Sequence, residues 1–253
     1  MPSPQTFSES AQSASPRQSP GTRVKAELHS FLAQYPALFM PYMRLRGRNT
    51  RLLAGSSTEI VIEGYPRSGN TFAVVAFRLA QNRDVRIAHH LHAPAQVIWA
   101  VRRRLPALVL IRKPADAVLS LLIRDPSASV THEIRRYTRF YGALGPYRNG
   151  FVLAAFEEVV SDFGTMIDRV NVKFSTSFQR FEHTEENVSQ CFRIIEEINI
   201  KHSNRETITE HTIARPSPIR ETAKEHVAEL VTGAAVQPLL GRANELYNQL
   251  LLH

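Results

Sequence analysis

The residues best equipped for chemistry lie in three short runs. In the first, Tyr65-Pro66-Arg67-Ser68-Gly69-Asn70-Thr71-Phe72, a guanidinium, two hydroxyls and a glycine fall within eight positions. Small polar residues at the mouth of a helix make an anion site, because the first N–H groups of a helix point outward unpaired and its dipole favours negative charge. In the second run, Ile111-Arg112-Lys113-Pro114-Ala115-Asp116-Ala117-Val118-Leu119-Ser120, an arginine precedes a serine by eight residues, about two helical turns. An arginine fork suits a doubly charged phosphate, and a serine hydroxyl adds a hydrogen bond, so this pair can hold a second anion apart from the first. The third run, His89-His90-Leu91-His92-Ala93-Pro94, carries three imidazoles. An ordinary imidazole pKa of about 6.5 is matched to taking a proton from an attacking hydroxyl.

These runs need elements to hold them. Ile60, Val61 and Ile62 form a short β-branched stretch closed by Gly64, the pattern of a buried strand. Phe72, Val75, Ala76, Leu79 and Ala80 then recur at helical spacing, which makes the first run a strand–turn–helix junction. Against the nucleotide-binding pattern G-x-x-x-x-G-K-[ST], Gly64, Gly69 and Thr71 match, but Asn70 stands where the lysine belongs and Arg67 is the loop's cation. Such a loop still cradles a phosphate-like group and fits Mg²⁺-assisted γ-phosphate cleavage poorly.

Further strands are expected at 85–90, 107–111 and 151–156, with helices from Pro94 to near Pro106, after Arg112, and at 134–144, 157–170, 185–199, 221–231 and 238–252. Strands alternating with helices predict an α/β fold: a doubly wound, mainly parallel sheet of about four to five strands with C-terminal helices. Ligands of such sheets sit beyond the carboxyl ends of the strands, where all three runs fall.

Residues 1–22, rich in Ser, Pro and Gln, read as a disordered tail, 23–57 as an aromatic and basic segment, and 58–253 as the α/β domain. Pro36 and Pro41 limit the second part to short helices. The net charge is +8, and residues 1–57 hold seven Arg and Lys against two Glu, so most of the excess lies outside the α/β domain. No zinc-ligand or RNA-binding signature accompanies it, which argues against a nucleic-acid partner. Aromatic residues ahead of an arginine cluster could rest weakly on an anionic membrane through residues 24–51, although packing on the domain is the commoner outcome. One cysteine, Cys191, no secretory signal pattern and no membrane-length apolar run point to the cytoplasm.

Tyr65–Phe72 resembles the 5′-phosphosulfate loop of sulfotransferases, usually Tyr-Pro-Lys-Ser-Gly-Thr-Thr-Trp, and Ile111–Ser120 resembles their 3′-phosphate segment, with Arg, Pro, Asp and Ser in place. The resemblance implies 3′-phosphoadenosine 5′-phosphosulfate as co-substrate, with Arg67, Ser68, Gly69, Asn70, Thr71 and Phe72 at its phosphosulfate end and Arg112 and Ser120 at its 3′-phosphate. His92-Ala93-Pro94 is similar to the family's Thr-His-Leu-Pro element, which implies His92 as the base, with His90 second and Arg67 offsetting charge on the leaving oxygen. Ala155–Val159 resembles a Tyr-Glu-Asp-Leu strand end, and Phe174–Phe178 a Thr-Ser-Phe element near adenine. Arg215 and Arg220, in a proline-stiffened basic loop, stand where the family touches the 3′-phosphate. The implied reaction is sulfuryl transfer to an acceptor hydroxyl of a small molecule or glycan, with no metal. The competing readings are a P-loop kinase or NTPase and a non-catalytic binder of anions or phospholipid headgroups.

Overall fold

The structure is a computed structural model that describes residues 20–47, 49–203, 228, 231 and 233–252. Strands β1 (Ile60–Gly64), β2 (Ile87–His89), β3 (Ala107–Ile111) and β4 (Val152–Ala155) form one sheet, ordered β2-β1-β3-β4, with every pairing parallel. This is the expected α/β architecture. Every residue of β1 and β3 is buried, as befits parallel strands covered on both faces.

Alternation along the strands divides the core into two layers. One face, with Val61, Tyr65, Val109 and Leu153, packs under helices α2 (Pro36–Arg46), α4 (Pro94–Arg102), α5 (Pro114–Arg124), α6 (Val130–Leu144) and α10 (Gln237–Leu251), with α1 (Pro20–Leu32) lying against α6. The other, with Ile60, Ile62, Leu108 and Leu110, packs under α3 (Asn70–Ala80), α8 (Phe163–Phe174) and α9 (Glu185–Ser203). The sequence order reverses direction across β1 and β3, so the loops after these two strands open a crevice between them.

Several expectations change. The helix expected at 157–170 is two helices, α7 (Phe156–Ser161) and α8. Asp162, in a non-helical conformation (φ −153°, ψ 79°), breaks it by accepting the N–H of Thr165 at 3.3 Å as the cap of α8. Pro41 does not break α2 but lies inside it, where burial of Phe39, Met40 and Met43 offsets a proline cost of about 3 kcal/mol. Residues 20–22, expected in the tail, begin α1, while 1–19 lie outside the described residues, as does nearly all of the helix expected at 221–231. Residues 33–54 contribute Ala33, Phe39, Met40, Met43, Leu53 and Ala54 to the same apolar layer as the sheet, so this segment packs on the α/β domain.

Candidate active site

The turn after β1 owes its shape to two left-handed residues, Arg67 (φ 68°) and Gly69 (φ 89°). Gly69 caps α3 without a side-chain acceptor. The N–H groups of Asn70, Thr71 and Phe72 form the helix's first turn, where no carbonyl one turn back can bond them. Among the described residues, none of them donates to a backbone carbonyl outside the helix.

The structure draws Arg67, Arg112 and Ser120 together. Arg112, one residue past β3, donates from Nη1 to the Arg67 carbonyl at 3.1 Å, and Arg67 Nε donates to Ser120 Oγ at 3.0 Å. Two anion positions expected to stand apart are therefore one continuous basic surface. Arg112 also lies 4.1 Å over the Phe156 ring, whose edge a Cβ at position 69 would meet at 3.4 Å. Phe156 thus lies under both runs, stacked on Arg112.

Other members of the first run serve differently. Ser68 is fully buried, its hydroxyl 3.4 Å from that of Tyr141, and its N–H donates to the Tyr65 carbonyl. Asn70 is buried and donates Nδ2 to the Tyr65 carbonyl at 3.0 Å. Phe72 turns into the second core layer against Phe163, Phe181 and Phe192. Phe72 offers the turn only its N–H, whereas the Asn70 side chain braces it from within. Arg215 and Arg220 lie outside the described residues. The Thr-Ser-Phe element is not at the crevice: Phe178 packs on Phe77 and Gln179 bonds Gln81, at the far end of α3.

Thr71 Oγ1 sits 3.1 Å from His90 Nε2. Its proton can be traced. Arg78 carries only donors and lies 3.3 Å from His89 Nε2, so that nitrogen accepts. Burial, helped by the charges of His90, Arg78, Arg86 and His92, depresses the His89 pKa to about 3, so the neutral ring carries its proton on Nδ1. That N–H faces His90 Nδ1 at 2.6 Å, which leaves the His90 proton on Nε2, donated to Thr71. Thr71, an acceptor from His90, keeps its own O–H for the turn.

The second turn rests on a carboxylate inside the sheet. Glu63, in β1, is fully buried and accepts the N–H groups of Leu91 (2.9 Å) and His92 (3.1 Å) and the amide of Gln96 (2.8 Å). Gln96 in turn accepts the Ala54 N–H at 2.6 Å. These bonds hold His90 (φ 58°) and His92 (φ 49°) in the left-handed region, strain worth about 1–3 kcal/mol each. Burial pushes the Glu63 carboxyl up to about 7 against the pull of its four donors, the Gly64 N–H included. His92 Nδ1 lies 2.8 Å from the Gly64 carbonyl, so Nδ1 carries the proton and Nε2 is left as a bare acceptor. Burial lowers the His92 pKa to about 3, with His90, Arg136 and Arg67 adding to the effect and the Gly64 bond opposing it.

Three tyrosines brace the strand tips. Tyr137 and Tyr141 donate from α6 to the carbonyls of Arg112 and Leu110, each at 2.7 Å, and Tyr65 donates to Glu133 at 2.7 Å. Beside His92 lies a cavity of about 10 Å³, room for roughly one water, bounded by His29, Ser30, Ala33 and Gln34 at the end of α1 and by Arg136 and Phe140. A larger groove of about 420 Å³ runs between α6 and α10, lined in part by Arg135, Arg139 and Arg242. No residue of the two turns lines it. Among the described residues, no three metal-ligating side chains converge.

No protein-family model and no curated protein matches this chain. Among solved structures it is similar to mouse sulfotransferase SULT7A1 complexed with PAP, at 11% identity over 76% of this chain and 93% of that one, with a TM-score of 0.39.

Sequence reasoning missed Glu63 and the Tyr137 and Tyr141 braces. A lone carboxylate in an apolar strand was the available signal for Glu63, since a buried charge persists only where donors surround it.

Proposed function

We propose that this chain is a sulfotransferase, passing the sulfuryl group of 3′-phosphoadenosine 5′-phosphosulfate to the hydroxyl of a small molecule or glycan, with no obligatory metal. One observation carries the reading: guanidiniums from two adjacent strand tips meet at one helix mouth, through the Arg112–Arg67 and Arg67–Ser120 bonds. A carrier charged at both ends of its ribose needs such a pair, whereas a nucleoside triphosphate needs one loop with a lysine.

In this reading the first-turn N–H groups, Thr71 and Arg67 hold the phosphosulfate, and Arg112 and Ser120 hold the 3′-phosphate. His92 Nε2 takes the acceptor's proton as its oxygen attacks sulfur in line with the breaking S–O bond. Arg67 offsets the charge gained by the departing phosphate oxygen. The carrier's negative charge raises the pKa of His92, which strengthens it as a base when the carrier is bound. Replacement of the P-loop lysine by Asn70, whose amide is bonded to Tyr65, favours this reading over a kinase.

Calorimetry tests it. Adenosine 3′,5′-bisphosphate should bind without Mg²⁺. Tighter binding of ATP–Mg²⁺ would make the chain a kinase or NTPase, and no nucleotide binding would leave a non-catalytic anion binder.

A further inference from the structure

The described residues expose eleven large apolar side chains, and six of them fall between residues 24 and 45. Val24, Leu28, Phe31 and Tyr35 follow spacings of four, three and four, a single stripe along α1 and its end, 45–68% exposed. Leu38 (53%) and Leu45 (89%), seven residues apart, are likewise exposed on α2. The inner faces of the same segment are committed to the core through Ala33, Phe39, Met40 and Met43.

Charge identifies what this face meets. From Leu28 to Thr58 the chain has no carboxylate, yet it carries Arg44, Arg46, Arg48 and Arg51, with Arg44, Arg46 and Arg51 exposed. Glu27, the acid of α1, is bound to Arg139 and, at 2.7 Å, to His132 of α6. Leu45, the most exposed of the set, sits between Arg44 and Arg46. Aliphatic and aromatic groups beside guanidiniums, without acids, match an anionic bilayer, whose headgroups take the arginines and whose acyl boundary takes the stripe. A nucleic acid would leave the aliphatic stripe unused.

We propose that the α1–α2 face docks this protein peripherally on an anionic lipid surface. The contact is interfacial, since no helix of the described residues is long and apolar enough to cross a membrane. It stands apart from the sulfotransferase reading.

Co-sedimentation of the full chain with vesicles tests it. Phosphatidylcholine vesicles with about 30% phosphatidylglycerol should retain the protein, pure phosphatidylcholine should not, and salt near 1 M should release it. Leu28→Ser with Phe31→Ser should weaken retention at least tenfold, and Arg44→Gln about fivefold. These positions are exposed, so melting temperatures and adenosine 3′,5′-bisphosphate binding should match the unaltered chain. Lack of retention on anionic vesicles, or retention indifferent to the serine substitutions, overturns the proposal. So does a dimer in light scattering that those substitutions dissociate while vesicle binding stays absent.

Discussion

The turns after β1 and β2 lie side by side at the carboxyl edge of the sheet and are built on opposite principles. The first works through its backbone: Arg67 and Gly69 adopt left-handed conformations and leave the N–H groups of Asn70, Thr71 and Phe72 facing outward. The second works through side chains, and its left-handed residues, His90 and His92, keep their shape because a carboxylate buried in the neighbouring strand bonds the turn. The first turn is suited to gripping charge and the second to moving a proton. Damage to each should therefore appear in a different measurement.

The largest effect belongs to the second turn. His92→Ala should lower turnover by about 10²–10⁴-fold in a labelled-donor assay while calorimetric affinity for adenosine 3′,5′-bisphosphate stays within about twofold. Loss of affinity instead would place His92 in the grip. Arg112→Ala should do the reverse, weakening that affinity by about 10–100-fold through loss of charge-assisted bonds.

Glu63→Gln sharpens the contrast from beneath. It should lower turnover by about tenfold, leave the donor's affinity alone, and change how stability follows pH. The fold holds a proton on Glu63 (4.5 raised to about 7), a contribution present below pH 4.5 and lost as pH rises through 7. It keeps protons off His89 and His92 (6.5 lowered to about 3), a contribution present above pH 6.5 and lost as pH falls towards 3. Between pH 4.5 and 6.5 two imidazoles outweigh one carboxyl, so these three groups together should contribute a rise of about 1.4 kcal/mol per pH unit. Without the carboxyl that contribution should roughly double, a steeper dependence that urea midpoints of the variant and the unaltered chain across that range would register.

The smallest effect returns to the first turn. Thr71→Val should weaken adenosine 3′,5′-bisphosphate binding by about five- to tenfold, and His90→Ala should add little on top, because both remove the same oriented hydroxyl. Fully additive losses would mean that His90 does not set the direction of that O–H.

How much was legible follows the same division. β3 lies at 107–111 as its apolar run predicts, and the eight-residue step from Arg112 to Ser120 was enough to bring both to Arg67. Backbone sites announce themselves because spacing along the chain is spacing in space. The supports under the histidines do not: Glu63, Ala54 and Gln96 are far apart in sequence and meet only once α4 packs on β1. Asp162 was hidden by a helical pattern that continues on both sides of it, and Pro41 misled because burial outweighed its local preference.

Gly64 closes β1 in a tight space: a methyl group there would come within 2.5 Å of the Leu110 carbonyl oxygen. Its own carbonyl is the one that pins the His92 imidazole. Even alanine at this position must wedge the two central strands apart and drag the imidazole's anchor with them. A library randomised at position 64 and selected for turnover should return glycine codons alone.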